Sequence, residues 1–240
     1  MIADRDHIRR CPSWTRSNRL ARALRTHAED LAKDARAASA VEFAVIAPVI
    51  LALLLSGVEV GRYINYTRKV SEIARATAGM LAQNKSGSVN LADLFFYNDS
   101  SMVIFPEVLK EAKQRGIPWY QNISFTIAFV KFFRTIPSCT KDCSYTAFLS
   151  WSYGAYPLSC YVPMLPAPDT ADPTSTTLPT DTFGPGSLIV VQAAYWYTPL
   201  VGSSFIRKKF ISRTYYLAPR YVSTISFDYS QGNYIVDCHM

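Results

Sequence analysis

Histidine is nearly missing from this chain. Of 240 residues only His7, His27 and His239 carry an imidazole, and just one of them lies in the C-terminal three quarters. A Ser-His-Asp or Cys-His arrangement there would have to rest on a residue beside the chain end, which argues against nucleophilic catalysis. No glycine-rich phosphate loop and no paired metal motif is present, and glycine numbers only 10. Internal repeats are lacking, and so is any basic run or stripe beyond residue 62, which speaks against nucleic-acid binding. These absences lead us to expect no enzyme, no cofactor and no nucleic-acid partner.

What is present is apolar and aromatic. Hydrophobic residues make up 49%, with 15 Tyr and 13 Phe, which excludes a disordered polymer. The formal charge of +7 divides by region: residues 1–37 carry net +4, 38–61 net −2 and 62–240 net +5. Spread in this way, the C-terminal charge reads as a solvated surface.

A single long apolar run extends from Phe43 to Val58. Its sixteen residues would span roughly 24 Å as a helix, whereas residues 38–61 would span about 36 Å, enough for a hydrocarbon core of about 30 Å. A buried helix of a soluble domain is the bland alternative. A cleaved signal fits poorly, because about 40 residues precede the run and no small-x-small pair follows it. The segment therefore reads as a single-pass anchor. Arg5, Arg9, Arg10, Arg16, Arg19, Arg22, Arg25, Lys33 and Arg36 fill the tail before it, and the positive-inside rule assigns that tail to the cytoplasm.

The cysteines agree with this orientation. Cys11 is alone in the tail, whereas Cys139, Cys143, Cys160 and Cys238 form an even set beyond the anchor. Two disulfides in an oxidising compartment explain that division, with three pairings possible. Zinc ligation is the alternative, since Cys139-x-x-x-Cys143 and Cys238-His239 have ligand-like elements, but C-x-x-C spacing is absent.

Beyond the anchor the helical pattern continues. Tyr63, Tyr66, Val70, Ile73, Thr77, Met80 and Leu81 recur at three- and four-residue steps, predicting one helix over about 38–83 that is amphipathic in its second half. Pro48 should bend it. A second helix is expected over Pro106–Arg115, with proline in its first turn and Gly116 after its end. Strand signals then fill 122–134, 147–153, 187–197 and 209–228, the last interrupted by Pro219. The Pro-rich stretch 163–186 reads as a long surface loop. The expected fold is α+β: a cytoplasmic basic tail over 1–37, a transmembrane helix over 38–61, and a head over 62–240. In that head an amphipathic helix extension packs on an antiparallel sheet with short helices.

The segment Ala38–Arg62, ASAVEFAVIAPVILALLLSGVEVGR, resembles the N-terminal hallmark of TadE-like proteins of tight-adherence pili, through Val41, Glu42, Phe43, Ala44, Pro48, Glu59 and Gly61. Tyr197, Thr198, Pro199 and Gly202 are similar to a later aromatic-Thr-Pro motif of that family. Ala218, Pro219 and Arg220 resemble its Arg-Pro-Arg-like close, with alanine in the first place, and Trp151-Ser152-Tyr153 resembles a mid-chain motif. The resemblance implies a minor pilin or membrane-anchored assembly factor in the bacterial inner membrane, with a periplasmic head. It implies other pilins and pilus-assembly proteins as partners. A prepilin peptidase would cut after Ala37, where the family has glycine, making Ala38 the new N-terminus. The alternative is a membrane-tethered ligand-binding or adhesive domain unrelated to pili.

Glu42 has two readings. Under the resemblance it pairs with a freed N-terminal amine and sets subunit register, beside Phe43. Otherwise it is an acid at the helix start, where the macrodipole favours it. Glu59 is expected to form an interfacial ion pair with Arg62, three residues on. Gly57 and Gly61 form a G-x-x-x-G spacing suited to close helix contact in lipid. Trp119, Tyr120, Trp151, Tyr153 and Tyr156 are either core residues or a glycan or protein contact.

Overall fold

The computed structural model describes residues 35–160, 163–171, 174–201, 207–231 and 235–238. Two compact units divide the chain, residues 1–58 and 59–240. Residues 1–34 of the basic tail, Cys11 among them, and all three histidines lie outside the described residues, as does Gly202.

Helix α1, Ala35–Ala82, contributes to both units. In the first, its apolar side chains point outward on every side: Phe43 is 70% exposed, Leu53 68% and Leu54 62%. The helix is long and apolar enough to cross a membrane, with a mean hydropathy of 2.4 in its most apolar window and none of that window buried. Such a surface needs lipid or another helix around it. Pro48 lies inside the helix, where it removes one backbone donor.

In the second unit α1 becomes one-sided. Tyr66, Val70, Ile73, Ala74, Thr77, Ala78, Leu81 and Ala82 are buried, a stripe at steps of three and four. Each large aliphatic side chain among them contributes about 1.5–3 kcal/mol when fully buried. Two short helices follow. Helix α2, Leu91–Ser101, starts at a capping box in which Asn90 accepts from the Asp93 amide and Asp93 accepts from the Asn90 amide, both at 3.0 Å. The sequence pattern had not suggested this helix, which has little amphipathic character. Helix α3, Pro106–Arg115, has the expected bounds and ends on left-handed Gly116.

The strands are β1 Ser88–Val89, β2 Ile123–Arg134, β3 Tyr145–Gly154, β4 Leu165–Ala167, β5 Thr177–Pro179, β6 Ser187–Tyr197, β7 Lys209–Leu217, β8 Ser226–Phe227 and β9 Ile235–Asp237. Five of them form an antiparallel sheet in the order β7-β6-β2-β3-β9. The region 209–228 is two strands, because β7 stops two residues before Pro219. The stretch 163–186 is not wholly a loop: β4 and β5 pair in parallel within it, and Met164 bridges to Ala147. A second parallel pair, β1 with β8, ties the segment after α1 to the chain's late part.

Alternation distributes the sheet residues between two cores. Ile123, Phe125, Ile127 and Phe129 of β2, and Ile189, Val191, Ala193, Tyr195 and Tyr197 of β6, join the buried stripe of α1. Ala128, Val130, Leu188 and Val190 face the other way and pack with Met164 and Leu178. On β3, Trp151 lies in the first core and Leu149 in the second, although they are two residues apart. A bulge explains this: Phe129 pairs with Trp151 and Val130 with Leu149, so Ser150 is the extra residue. Trp151 is therefore a core residue, its indole donating to the Ile225 carbonyl at 2.8 Å.

Candidate functional site

Residue 59 marks the start of the second unit, and its carboxylate gathers the end of β6. The strand closes at Tyr197, and Thr198-Pro199 then breaks the ladder, because proline has no amide to donate. The chain turns so that two successive amides converge on Glu59. Leu200 N lies 3.3 and 3.2 Å from the two carboxylate oxygens, and Val201 N lies 3.3 Å from Oε2. The Tyr197 hydroxyl donates to Glu59 Oε1. Successive amides of this kind form an anion cradle, here filled by a side chain of the same protein. Arg62 Nη1 stands 3.8 Å from Glu59 Oε2. The expected ion pair is therefore present, but it is the weakest part of a larger latch.

A second carboxylate continues the seam. Glu111 of α3 accepts from the hydroxyls of Tyr66, at 3.3 Å, and Tyr195. Arg62 Nη2 in turn donates to the Tyr66 hydroxyl at 3.4 Å. One turn further along α1, Lys69 pairs with Glu107. The rings beneath are packed together: Tyr66 lies 5.7 Å from Tyr195 and 5.2 Å from Tyr197, and Tyr63 meets Tyr197 edge-on at 5.4 Å. Aromatic bodies fill the interface while their hydroxyls satisfy two acids.

Electrostatics follow from this geometry. Burial, reinforced by the Glu111 carboxylate, drives the Tyr195 phenol far above its ordinary value, so it stays a donor. Tyr197 is shifted the same way by burial and then by Glu59. Glu107 is held below the usual carboxylate range: burial alone would raise it, but the Lys69 hydrogen bond, the local backbone and the Lys69 charge together outweigh that.

The other residues singled out from the sequence are more dispersed. Ala37 and Ala38 fall in the first turn of α1, and Glu42 and Phe43 are exposed along it. A side chain placed at Gly57 or Gly61 would meet nothing within 4 Å, so that spacing serves no packing within the described chain. Cys139 is bonded to Cys143 and Cys160 to Cys238, which resolves the three possible pairings. Among the described residues, no three His, Cys, Asp or Glu side chains converge as a metal site.

Sequence reasoning missed the role of Glu59 as an acceptor for the 197–201 turn. A signal was available, since Glu59 and Tyr197-Thr198-Pro199 both belong to segments noted for the same family resemblance. Residues 37–78 match the family model described as TadE-like protein. That match lies wholly within α1 and covers Glu42 and Glu59 but not the 197–201 turn. No curated protein and no solved structure matches the chain.

Proposed function

We infer that this chain, which carries a TadE-like segment at residues 37–78, is a minor pilin or membrane-anchored assembly factor of a tight-adherence pilus. The observation that carries the reading is the one matched segment serving two tasks on one helix. Its first part is an all-round apolar surface with no cover of its own, and its second part is the central strut of a folded head. A protein built in this way acts through helix contacts in the membrane and through its head, with other pilins and assembly proteins as partners. Catalysis is not part of the proposal.

The proposed location is the bacterial inner membrane, with residues 1–37 cytoplasmic and the head periplasmic. Both disulfides lie in the head, which suits an oxidising compartment. In the processed form of this reading, a prepilin peptidase cuts after Ala37 and frees the amine of Ala38. Glu42 would then pair with that amine on a neighbouring subunit or on its own.

The test is the mature N-terminus and intact mass of the protein from a native membrane fraction. A start at Ala38 establishes the processed pilin. A start at Met1 leaves the anchored assembly factor and removes Glu42 from subunit contact by this route. Failure of the protein to co-purify with any pilus component under crosslinking would refute both forms.

A further inference from the structure

The sheet face turned away from α1 carries a cleft of about 660 Å³, within the range of ligand sites. Three rows of side chains cross its floor. Thr126, Gln192 and Thr214 are direct cross-strand neighbours on β2, β6 and β7, forming a neutral polar ladder. At one end Trp196 sits opposite Phe210, their rings 4.8 Å apart, and Tyr156 meets Phe210 edge-on at 6.4 Å. At the other end Val190 pairs with Tyr216. Hydroxyls of Thr174, Ser175 and Thr177 stand along one wall.

Two features distinguish this cleft from an incidental hollow. None of its described lining residues is charged. Its aromatic end is also left open, with Trp196 51%, Phe210 44% and Tyr156 52% exposed. Parts of the floor and walls are held in place: Gln192 Nε2 donates to Ser212 Oγ at 2.9 Å, and Thr126 Oγ1 accepts from the Tyr156 amide at 3.0 Å. By contrast, Thr214 Oγ1 is buried against the cleft without a hydrogen-bond partner. A buried hydroxyl in that state is costly unless something satisfies it.

We propose that this cleft binds a neutral oligosaccharide. A sugar ring offers an apolar C–H face that stacks on aromatic rings, and a rim of hydroxyls that both donate and accept. Trp196, Phe210 and Tyr156 supply the platform. Gln192, at the middle of the polar ladder, and the threonine and serine wall supply uncharged partners. A peptide fits less well, because β2 and β6 in the floor have their backbone groups paired within the sheet, and strand addition is left only the outer edge of β7. Among the described lining residues there is also no charged side chain for a peptide's termini or ionised residues. The proposal stands on the cleft alone and is independent of the pilus reading.

The test is retention of the full chain, in detergent or nanodiscs, on an array of neutral and anionic glycans, with a neutral peptide library in parallel. Neutral oligosaccharides are expected to retain the wild type. Trp196→Ala and Gln192→Ala should each weaken that binding at least tenfold, while Tyr120→Ala, an exposed aromatic away from the cleft, leaves it unchanged. Phe210→Ala provides a second platform variant should Trp196→Ala fail to fold. No retention on neutral glycans, retention unaffected by both cleft variants, or cleft-dependent capture of peptides alone would overturn the proposal.

Discussion

Tyr197 donates its hydroxyl to Glu59 across 138 positions of sequence, and so ties the last residue of β6 to the central helix. The same carboxylate takes the amides of Leu200 and Val201, so one side chain fixes both the strand end and the turn after it. Hydrogen bonds to a charged acceptor contribute about 1.5–3 kcal/mol each when buried, and less at the exposed turn. We expect Tyr197→Phe to cost about 1 kcal/mol and Glu59→Gln about 2 kcal/mol, read by urea unfolding of the head in detergent. In a double-mutant cycle the two should couple by more than about 0.5 kcal/mol. Strict additivity would show that the hydroxyl and carboxylate do not act as a unit.

The paired tyrosines and the Lys69–Glu107 bridge give the head opposite sensitivities at the two ends of the pH scale. Tyr195 and Tyr197 have raised folded values, so in alkali the unfolded chain loses its phenol protons first. Their contribution is fully present below the ordinary tyrosine value of about 10 and is lost as pH climbs above it. Glu107 has a lowered folded value, so its contribution is present above the ordinary carboxylate range and is lost as pH falls through the folded value. Thermal unfolding across pH 3–11 should therefore show a plateau with two shoulders. Tyr195→Phe should flatten the alkaline limb alone and Glu107→Gln should weaken the acid limb alone.

The two disulfides close loops of very different length. Cys139 and Cys143 are 4 positions apart, whereas Cys160 and Cys238 are 78 apart. In the chain-entropy account the long loop is worth about 4.5 kcal/mol and the short one about 2 kcal/mol. Replacing Cys160 and Cys238 together by serine should lower the unfolding midpoint clearly more than the same change at Cys139 and Cys143. Equal losses would point to an enthalpic origin at the hairpin tip.

Features governed by local rules were legible in the sequence. The apolar run, the stripe from Tyr66 to Leu81 and the Pro106–Gly116 helix each express one period or one pair of end signals. The start of α2 was also written locally, as Asn90-x-x-Asp93, but its weak apolar periodicity hid it. What could not be read depends on which distant residues meet. Glu59 shows only Arg62 within reach along the helix, and nothing nearby announces the amides at 200 and 201. Trp196 and Phe210 are likewise ordinary strand aromatics until the β6–β7 register sets them side by side. The parallel ribbon of β4 and β5 inside 163–186 escaped because prolines there signal turns more strongly than three-residue strands signal pairing.

Gly154 offers a sharp test of the close of β3. Its φ of +126° lies where side chains are strongly disfavoured, and an added Cβ would run into the Phe125 carbonyl and the backbone of Thr126 on the neighbouring strand. Backbone atoms cannot move aside as a flexible side chain does. The turn just beyond it carries Ala155, whose amide bonds the Phe125 carbonyl at 2.9 Å, and Tyr156 of the cleft rim. Gly154→Ala should therefore cost more than about 2 kcal/mol, and should disturb the cleft as well as the fold. Gly57→Ala, in open space on α1, should leave head stability unchanged. Urea unfolding of the two variants against wild type decides the matter, and a loss below about 0.5 kcal/mol at Gly154 would mean that β2 and β3 can part there without cost.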